Sequence, residues 1–189
     1  RQNFALRGLP GEFEVADAER LRFADGSFDL VYSHGVLHHT PDIEQAVREI
    51  YRVLRPNGRA IVMLYHRNSY NYQINIRLLR RIGVQTLRWK TGIRLVHLAT
   101  GEPLQSLREH ASRLRQDRNY LDPGEFLSGN TDGAGNPLAR VYSKAEALEL
   151  FHQFARVEMK PYFLNKRFLP LIGNFLPVSL ESALAQRWG

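Results

Sequence analysis

The sequence predicts an α/β fold: a mostly parallel β-sheet with helices on both faces and a helical insertion after the third strand. Three observations predict it. Short apolar runs alternate with one strongly amphipathic segment over residues 13–65, as in proteins built from strand–helix–strand units. Each apolar run ends abruptly in small, acidic or imidazole side chains. After the third run, apolar residues recur at helical spacing, interrupted by glycines.

Three strands and one helix are predicted in this first part. Phe13 to Ala16 and Phe28 to Tyr32 are short apolar runs bounded by polar residues, which indicates strands. Arg59 to Tyr65 is continuously apolar after its first residue, as is typical of a central parallel strand. Thr40 is placed to cap a helix that begins at Pro41 and stops at the sequence RPNG. Its apolar positions recur every three or four residues: Ile43, Ala46, Val47, Ile50, Tyr51 and Leu54.

The middle of the chain is predicted to be a broken helical insertion followed by a loop. From Asn68 to about Tyr120 the helical pattern is interrupted at glycines, and Ile74, Leu78 and Ile82 share one helix face. A further amphipathic stretch opens at Pro103, with Leu104, Leu107, Ala111 and Leu114. Leu127 to Ala139 is dense in glycine, asparagine and aspartate, which predicts a loop.

The last part is predicted to contain one helix and one strand. Ser143 and Glu146 form a capping-box pair, which opens a helix with Leu148, Phe151 and Phe154 facing inward. Residues 155–164 are predicted to form a strand, placed at a sheet edge by Pro161. The apolar stretch Phe168 to Val178 is broken by proline and glycine.

Composition excludes several classes of protein. The chain of 189 residues contains no cysteine, so disulfide frameworks, thiolate catalysis and cysteine-bound metals are excluded, and we expect a cytoplasmic location. No apolar run approaches the roughly 20 residues that a membrane-spanning helix requires. The length suits one domain with an insertion.

The net charge of +7 is concentrated in one segment. Residues 71–118 carry ten Lys or Arg and three Asp or Glu, whereas the rest of the chain is balanced. A local basic segment points to an anionic partner or to a solvated helix face. Its helices could form a lid over an apolar substrate, rest on an anionic membrane surface or contact an anionic acceptor. Nucleic acid is not expected, because aromatic residues are not regularly interleaved with the charges.

The strand ends are the predicted functional site. In parallel sheets, ligands bind outside the carboxyl ends of the strands. That rule places three groups in one neighbourhood: Asp17 to Glu19, Ser33 to Gly35, and Tyr65 with His66.

Four stretches in order give the chain a family resemblance: VADAERLRFADGSFDLVYS, HGVLHHTPD, EIYRVLRPNG and RAIVMLY. Over about Phe13 to Tyr65 the chain resembles the class I S-adenosylmethionine-dependent methyltransferases, particularly the branch of ubiquinone and menaquinone biosynthesis. The resemblance implies a Rossmann-like fold and S-adenosyl-L-methionine as cofactor. It implies that Asp17 and the backbone of Ala18, with the adjoining Glu19, contact adenine. Ser33, His34 and Gly35 would line the methionine side.

The sequence also departs from the family pattern in several places. The family's first strand, its glycine-rich turn and the acidic residue that holds the ribose are expected before Phe13, and a last antiparallel strand after Gly189. We therefore expect residues 1–189 to be a single incomplete methyltransferase domain, with the insertion at residues 67–142. Arg22 stands where the family commonly has proline. Asn57 stands where it commonly has glycine, a mild departure because asparagine tolerates a left-handed backbone.

Histidines and Tyr65 are the candidate catalytic residues. Methyl transfer requires mainly positioning, and a general base only when the acceptor is acidic. His34, His38, His39 and His66 are candidates; we select His66 as base, Tyr65 to orient an acceptor, and His39. Each histidine could instead merely bond a neighbouring carbonyl. Metal binding by His38 and His39 is not expected, because adjacent side chains point apart and no third ligand stands at a suitable spacing.

Two functions from different classes follow. The first is a methyltransferase for a small-molecule acceptor. The second is a non-catalytic protein of the same fold whose basic insertion engages an anionic membrane or nucleic acid. A nicotinamide-dependent dehydrogenase is a weaker alternative, since the glycine fingerprint that would support it does not occur.

Overall fold

The computed structural model describes residues 2–133 and 135–162, and its centre is a parallel strand–helix–strand unit. Strand β1 (Phe28–His34) pairs in parallel with strand β2 (Leu54–Met63), in register from Leu30 with Arg59 to His34 with Met63. Helix α2 (Ile43–Val53) connects them. The α/β class with parallel pairing is thereby confirmed.

Helix α2 has the predicted apolar face but a different start. Asp42 caps it, because its carboxylate accepts a hydrogen bond from the Gln45 N–H at 2.9 Å. The Thr40 hydroxyl is unavailable for capping, since it donates to the carbonyl of Leu37 in a short 3₁₀ turn, Leu37–His39. Tyr51, predicted to face inward, is exposed. After the helix ends, Asn57 adopts a left-handed backbone with φ of 66°, as its residue type predicts.

The predicted strand at Phe13 to Ala16 does not form. Val15 is 93% exposed, and the only pairing in this region is an isolated bridge between Asp17 and Arg20. A strand requires a neighbour that takes up its backbone hydrogen bonds, and no described strand pairs with this segment. A five-residue helix, α1 (Gln2–Leu6), precedes it.

The predicted third strand is divided in two. Strand β2 ends at Met63, and Tyr65–His66 forms a separate short strand, β3. Strand β3 pairs in parallel with β4 (Val141–Tyr142), which brings the chain beyond the insertion back to the strand ends.

The insertion is helical, as predicted, and has its own core. Its segments are a π-helix (Asn71–Arg80), α3 (Arg81–Thr86), α4 (Lys90–Thr100), α5 (Leu104–Gln116), a 3₁₀ turn (Arg118–Leu121) and α6 (Pro123–Thr131). Buried residues from these segments form one cluster: Ile76, Val84, Leu87, Leu107, Ala111, Tyr120, Phe126, Leu127 and Ala139. The stripe Ile74, Leu78 and Ile82 is exposed, so the helices pack through other positions.

The predicted loop from Leu127 to Ala139 begins later than expected. Helix α6 extends to Thr131, because Phe126 and Leu127 are buried in the insertion core. The hydroxyls of Ser128 and Thr131 donate to backbone carbonyls one turn earlier, which makes these polar residues compatible with the helix.

The C-terminal part of the described chain packs on the strand–helix–strand unit. Helix α7 (Lys144–Leu150) opens with the predicted capping box of Ser143 and Glu146. Phe151 and Phe154 pack against the cluster around α2, whereas Leu148 is exposed. Residues 155–162 form no strand, against the prediction, since no described strand pairs with them. Residues 163–164 and the stretch Phe168 to Val178 lie outside the described residues.

Within the described residues, no helix has both the length and the apolar character needed to cross a membrane.

Candidate functional site

A cavity of about 850 Å³ lies where β1, β2 and β3 end. His34, Tyr65 and His66 line it, so three of the predicted site residues share one space. Helix α7 and the segment that follows it form another wall. The further lining residues include Tyr32, Met63, Ser69, Asn71, Phe151 and Phe154. The mixture of aromatic and apolar walls with a few polar groups is typical of small-molecule sites.

Tyr65 belongs to a hydrogen-bonded network at the edge of this cavity. Its hydroxyl lies 2.9 and 3.1 Å from the two carboxylate oxygens of Asp132, to which it donates. His39 lies on the other side of Asp132, with Nε2 at 3.2 Å from Oδ2. Asp132 therefore joins Tyr65 to His39, although His39 itself does not line the cavity.

His39 has hydrogen-bond acceptors at both ring nitrogens. Nδ1 is 2.6 Å from the carbonyl oxygen of Leu138, and Nε2 faces the Asp132 carboxylate. The amide nitrogen of Asn136 is farther from Nδ1, at 3.4 Å, so the shorter contact assigns a proton to that nitrogen. Each ring nitrogen of His39 therefore faces an oxygen atom of the protein.

The Tyr65 hydroxyl keeps its proton, which it donates to Asp132, and is unsuited to act as a base. Burial, and then the adjacent Asp132 carboxylate, raise the pKa of its hydroxyl well above the ordinary value. Both effects disfavour the tyrosinate. The hydroxyl consequently stays protonated at neutral pH.

His38 is fully buried beside this network. Its ring lies 3.8 Å from the ring of Tyr65 and 4.2 Å from that of His39, measured between centroids. Neither ring nitrogen has a hydrogen-bond partner of acceptable geometry, although the backbone of Met63 is close. Burial, and then the neighbouring His39, lower the pKa of His38 to about 4. His38 is therefore neutral at physiological pH.

The arrangement of His38 and His39 differs from the sequence-based expectation. The two rings lie side by side, and the fold adds Asp132, so that one ligand atom from each residue lies within 4.8 Å of the others. These three residues could hold a divalent cation. Both oxygens of Asp132 and both ring nitrogens of His39, however, already have protein partners.

The predicted adenine-binding residues lie on a turn away from the cavity. One carboxylate oxygen of Asp17 accepts a hydrogen bond from the Glu19 N–H at 2.9 Å. Its second oxygen and the N–H of Ala18 have no partner among the described residues. This acceptor–donor pair fits the edge of an adenine ring, which offers one donor and one acceptor.

Glu19 stabilises this turn through hydrogen bonds. Its carboxylate accepts a hydrogen bond from the Asp42 N–H at 2.8 Å, and its carbonyl accepts one from the Gln45 side chain. Glu19 thus fixes the turn to the start of helix α2. Neither Asp17 nor Glu19 lines the cavity described above.

Ser33 and His34 are the last residues of β1, which runs two residues past the predicted end at Tyr32, and Gly35 follows the strand. Ser33 is buried and its hydroxyl has no hydrogen bond among the described residues, whereas His34 is exposed and stacks on Tyr32. Gly35 has φ of 76°, so the chain turns there through a left-handed conformation that favours glycine.

Asp132 is the site residue that the sequence analysis missed. It is 67 positions from Tyr65, in the segment predicted to be a loop. Only the return of the chain through β4 brings it to the strand ends. No local pattern could have identified it.

Comparison with known proteins finds a methyltransferase domain and methyltransferases among the similar proteins. Residues 1–62 match the family described as methyltransferase domain. The chain is 34% identical over 148 residues to the protein named "Uncharacterized protein YafE" of Escherichia coli, covering 77% of this chain and 65% of that protein. It is 43% identical over 63 residues to a demethylmenaquinone methyltransferase of Thermus thermophilus, covering 33% of this chain and 29% of that enzyme.

A solved structure of a methyltransferase from Thermotoga maritima aligns with a TM-score of 0.45 at 19% identity, covering 84% of this chain and 51% of that one. That likeness is too distant to carry an argument. The chain spans 65% of the length of YafE, less than two thirds, and smaller shares of the other relatives named here. Residues 1–62 thus match a methyltransferase domain, and the motif series and these relatives support the class I S-adenosylmethionine-dependent methyltransferases.

Proposed function

We propose that the protein transfers a methyl group from S-adenosylmethionine to a small-molecule acceptor bound in the cavity at the strand ends. The family supports the reaction type. Relatives that are named for small acceptors support the acceptor class. One is 27-O-demethylrifamycin SV methyltransferase of Amycolatopsis mediterranei, which is 51% identical over 47 residues, covering 25% of this chain and 17% of that enzyme. The cavity of about 850 Å³ has the size of a small-molecule site.

The chain offers two sets of groups to the cofactor. The free oxygen of Asp17 and the N–H of Ala18 would bind the adenine edge, and Glu19 would hold their turn in place. Ser33, His34 and the left-handed turn at Gly35 would contact the methionine part. When bound, the cofactor supplies an electrophilic methyl group on a sulfonium, so the protein must chiefly align the acceptor.

The acceptor side of the cavity carries Tyr65 and His66. Tyr65 would hold the acceptor in line, through its ring and through the oxygen of its hydroxyl, whose single proton is donated to Asp132. His66 would take the proton of an acidic acceptor. His39 would act as a positioning residue, since it reaches Tyr65 through Asp132 and through an edge-to-face ring contact with centroids 6.1 Å apart.

The observation that carries the proposal is the placement of Tyr65: this residue lines the strand-end cavity, and its hydroxyl donates to a carboxylate from a distant part of the chain. A side chain fixed in this way can hold a bound acceptor in one orientation, because preorganisation lowers the cost of alignment.

The test is methyl transfer from radiolabelled S-adenosylmethionine, with the full-length protein and a small-molecule extract as acceptor source, followed by the purified acceptor. We expect Tyr65→Phe to lower kcat/KM by about 10- to 100-fold, the range of one lost hydrogen bond to a charged network. Tyr51→Phe, an exposed tyrosine outside the cavity, is the matched control and should leave the rate unchanged.

Asp132→Asn tests the network. If Asp132 acts through Tyr65, the double variant Tyr65→Phe with Asp132→Asn should lose no more activity than Tyr65→Phe alone. Additive losses would show that Asp132 acts independently of Tyr65. The absence of any labelled product with the unmodified protein would contradict the proposed reaction itself.

A further inference from the structure

Residues 71–100 of the insertion combine positive charge with exposed apolar side chains. This stretch contains six Lys or Arg and no Asp or Glu. It supplies a set of exposed large apolar residues: Ile74, Leu78, Leu79, Ile82, Trp89, Leu95 and Leu98. We call this set, with the cations among it, the basic apolar face.

Several of these apolar side chains are strongly exposed. Ile74, Leu78 and Ile82 are spaced four residues apart, which places them on one side of consecutive helical turns. Trp89 and Leu95 are each 64% exposed and Leu98 is 80% exposed. An apolar stripe of this kind, next to charges, marks an interaction surface.

Five of the six cations of the face have no acidic partner among the described residues. Among the described residues, only Arg80 of the six forms an ion pair, with Glu102 at 2.9 Å. Arg77 and Arg81 lie over aromatic rings, and Arg88, Lys90 and Arg94 are exposed without a carboxylate partner. Arg52, Arg55 and Arg67 elsewhere pair with carboxylates, whereas Arg7, Arg22 and Arg59 do not within the described part of the chain. The cations of the face are therefore available to an anionic partner.

We infer that the basic apolar face binds the surface of an anionic phospholipid membrane. The reason is the combination of groups: cations attract anionic headgroups, aliphatic side chains enter the region below them, and tryptophan prefers the boundary. Nucleic acid would favour stacking aromatics, of which the face exposes one. Helix α4 has 11 residues and a length of about 16 Å, so it would lie in the interface rather than cross a bilayer of about 30 Å.

This inference does not depend on methyl transfer, because it concerns a surface outside the cavity. It narrows the basic segment predicted from sequence: residues 101–118 contain Glu102, Glu109 and Asp117, which weaken any attraction to anionic lipid. Membrane contact therefore concerns residues 71–100.

Vesicle flotation of the full-length protein tests the inference, with vesicles of neutral phosphatidylcholine alone or mixed with anionic phosphatidylglycerol. We expect binding to the anionic vesicles, weakening as salt rises, and little binding to the neutral ones. Replacing Arg88, Lys90 and Arg94 together by glutamine should weaken partitioning by about 100-fold, from roughly fivefold per cation. Leu95→Ser with Leu98→Ser should weaken it at least tenfold.

Matched controls distinguish the face from general charge and apolar exposure. Arg7, Arg22 and Arg59, which are exposed and have no carboxylate partner among the described residues, provide a triple glutamine variant. Leu6→Ser with Leu9→Ser removes two other exposed leucines. Both control variants should bind like the unmodified protein.

Three results would overturn the inference. The first is a failure of the vesicle comparison, either because neutral and anionic vesicles bind the protein equally or because the face variants bind like their controls. The second is a dimer in light scattering that Leu95→Ser with Leu98→Ser converts to a monomer, since the face would then cover a second copy. The third is tighter binding to an RNA oligomer than to anionic vesicles.

Discussion

The buried imidazole of His38 should make the fold sensitive to mild acid. The pKa of His38 is about 4 in the folded protein and about 6.5 in an unfolded chain. Between these values the unfolded state binds a proton that the folded state excludes, so stability falls as pH falls. Above pH 6.5 the effect is absent, and below pH 4 it is complete.

The magnitude follows from the size of the shift. A difference of about 2.5 pH units corresponds to about 3 kcal/mol, of which about 2.5 kcal/mol is lost between pH 7.5 and pH 4.5. The groups that face His38 partly oppose one another: His39 and His34 disfavour its protonation, and Asp132 favours it. The burial of the ring is the largest contribution.

Urea unfolding at pH 7.5 and pH 4.5 measures this effect. His38→Phe keeps an aromatic ring against Tyr65 but cannot titrate, so it should lose about 2.5 kcal/mol less stability over this pH range than the unmodified protein. Other titrating groups, including the buried His110, are present in both proteins and cancel in the comparison. His152→Phe, at an exposed position, should show the full loss. Equal losses for His38→Phe and the unmodified protein would refute the reasoning.

Three further predictions concern backbone geometry and the Asp132 network. In thermal unfolding, Gly92→Ala should destabilise the protein by roughly 3 kcal/mol, because the added Cβ would lie 1.9 Å from the Thr86 carbonyl oxygen. Gly83→Ala has open space around the added Cβ and should stabilise the protein by about 0.5–1 kcal/mol. Similar changes in melting temperature for the two variants would contradict this reasoning. Asn57→Ala should cost about 1 kcal/mol and Asn57→Gly almost nothing, since φ is 66°; equal urea midpoints would argue against strain there. Dialysis against EDTA should leave the melting temperature unchanged, because Asp132 and His39 are satisfied by protein groups, whereas a fall would indicate a resident cation.

Local patterns in the sequence predicted the elements whose determinants are local. Helix α2, the capping box at Ser143 and the left-handed Asn57 depend on residues within a few positions of each other. The strand at Phe13 to Ala16 failed because a strand needs a partner, which no local pattern supplies. Most of helix α6 was predicted to be a loop because the segment is rich in glycine and asparagine. The burial of Phe126 and Leu127, which favours the helix, is visible only in the tertiary structure.

The candidate site also contains residues that the sequence could predict and one that it could not. His34, Tyr65 and His66 could be predicted together because strand ends of a parallel sheet share one edge. Asp132 could not, since its contact with Tyr65 depends on the path of the whole insertion. The roles of the site residues, the domain limits at residues 67–142 and the cytoplasmic location stay predictions.

Calorimetric titration of the full-length protein with S-adenosylmethionine tests whether the chain holds the proposed cofactor. We predict binding at a single site, weakened about tenfold by Asp17→Asn, which removes a charge-assisted hydrogen bond. Asp122→Asn, at an exposed aspartate with no side-chain partner among the described residues, should bind like the unmodified protein. The absence of binding, or equal affinity of Asp17→Asn and the unmodified protein, would contradict the proposed cofactor site.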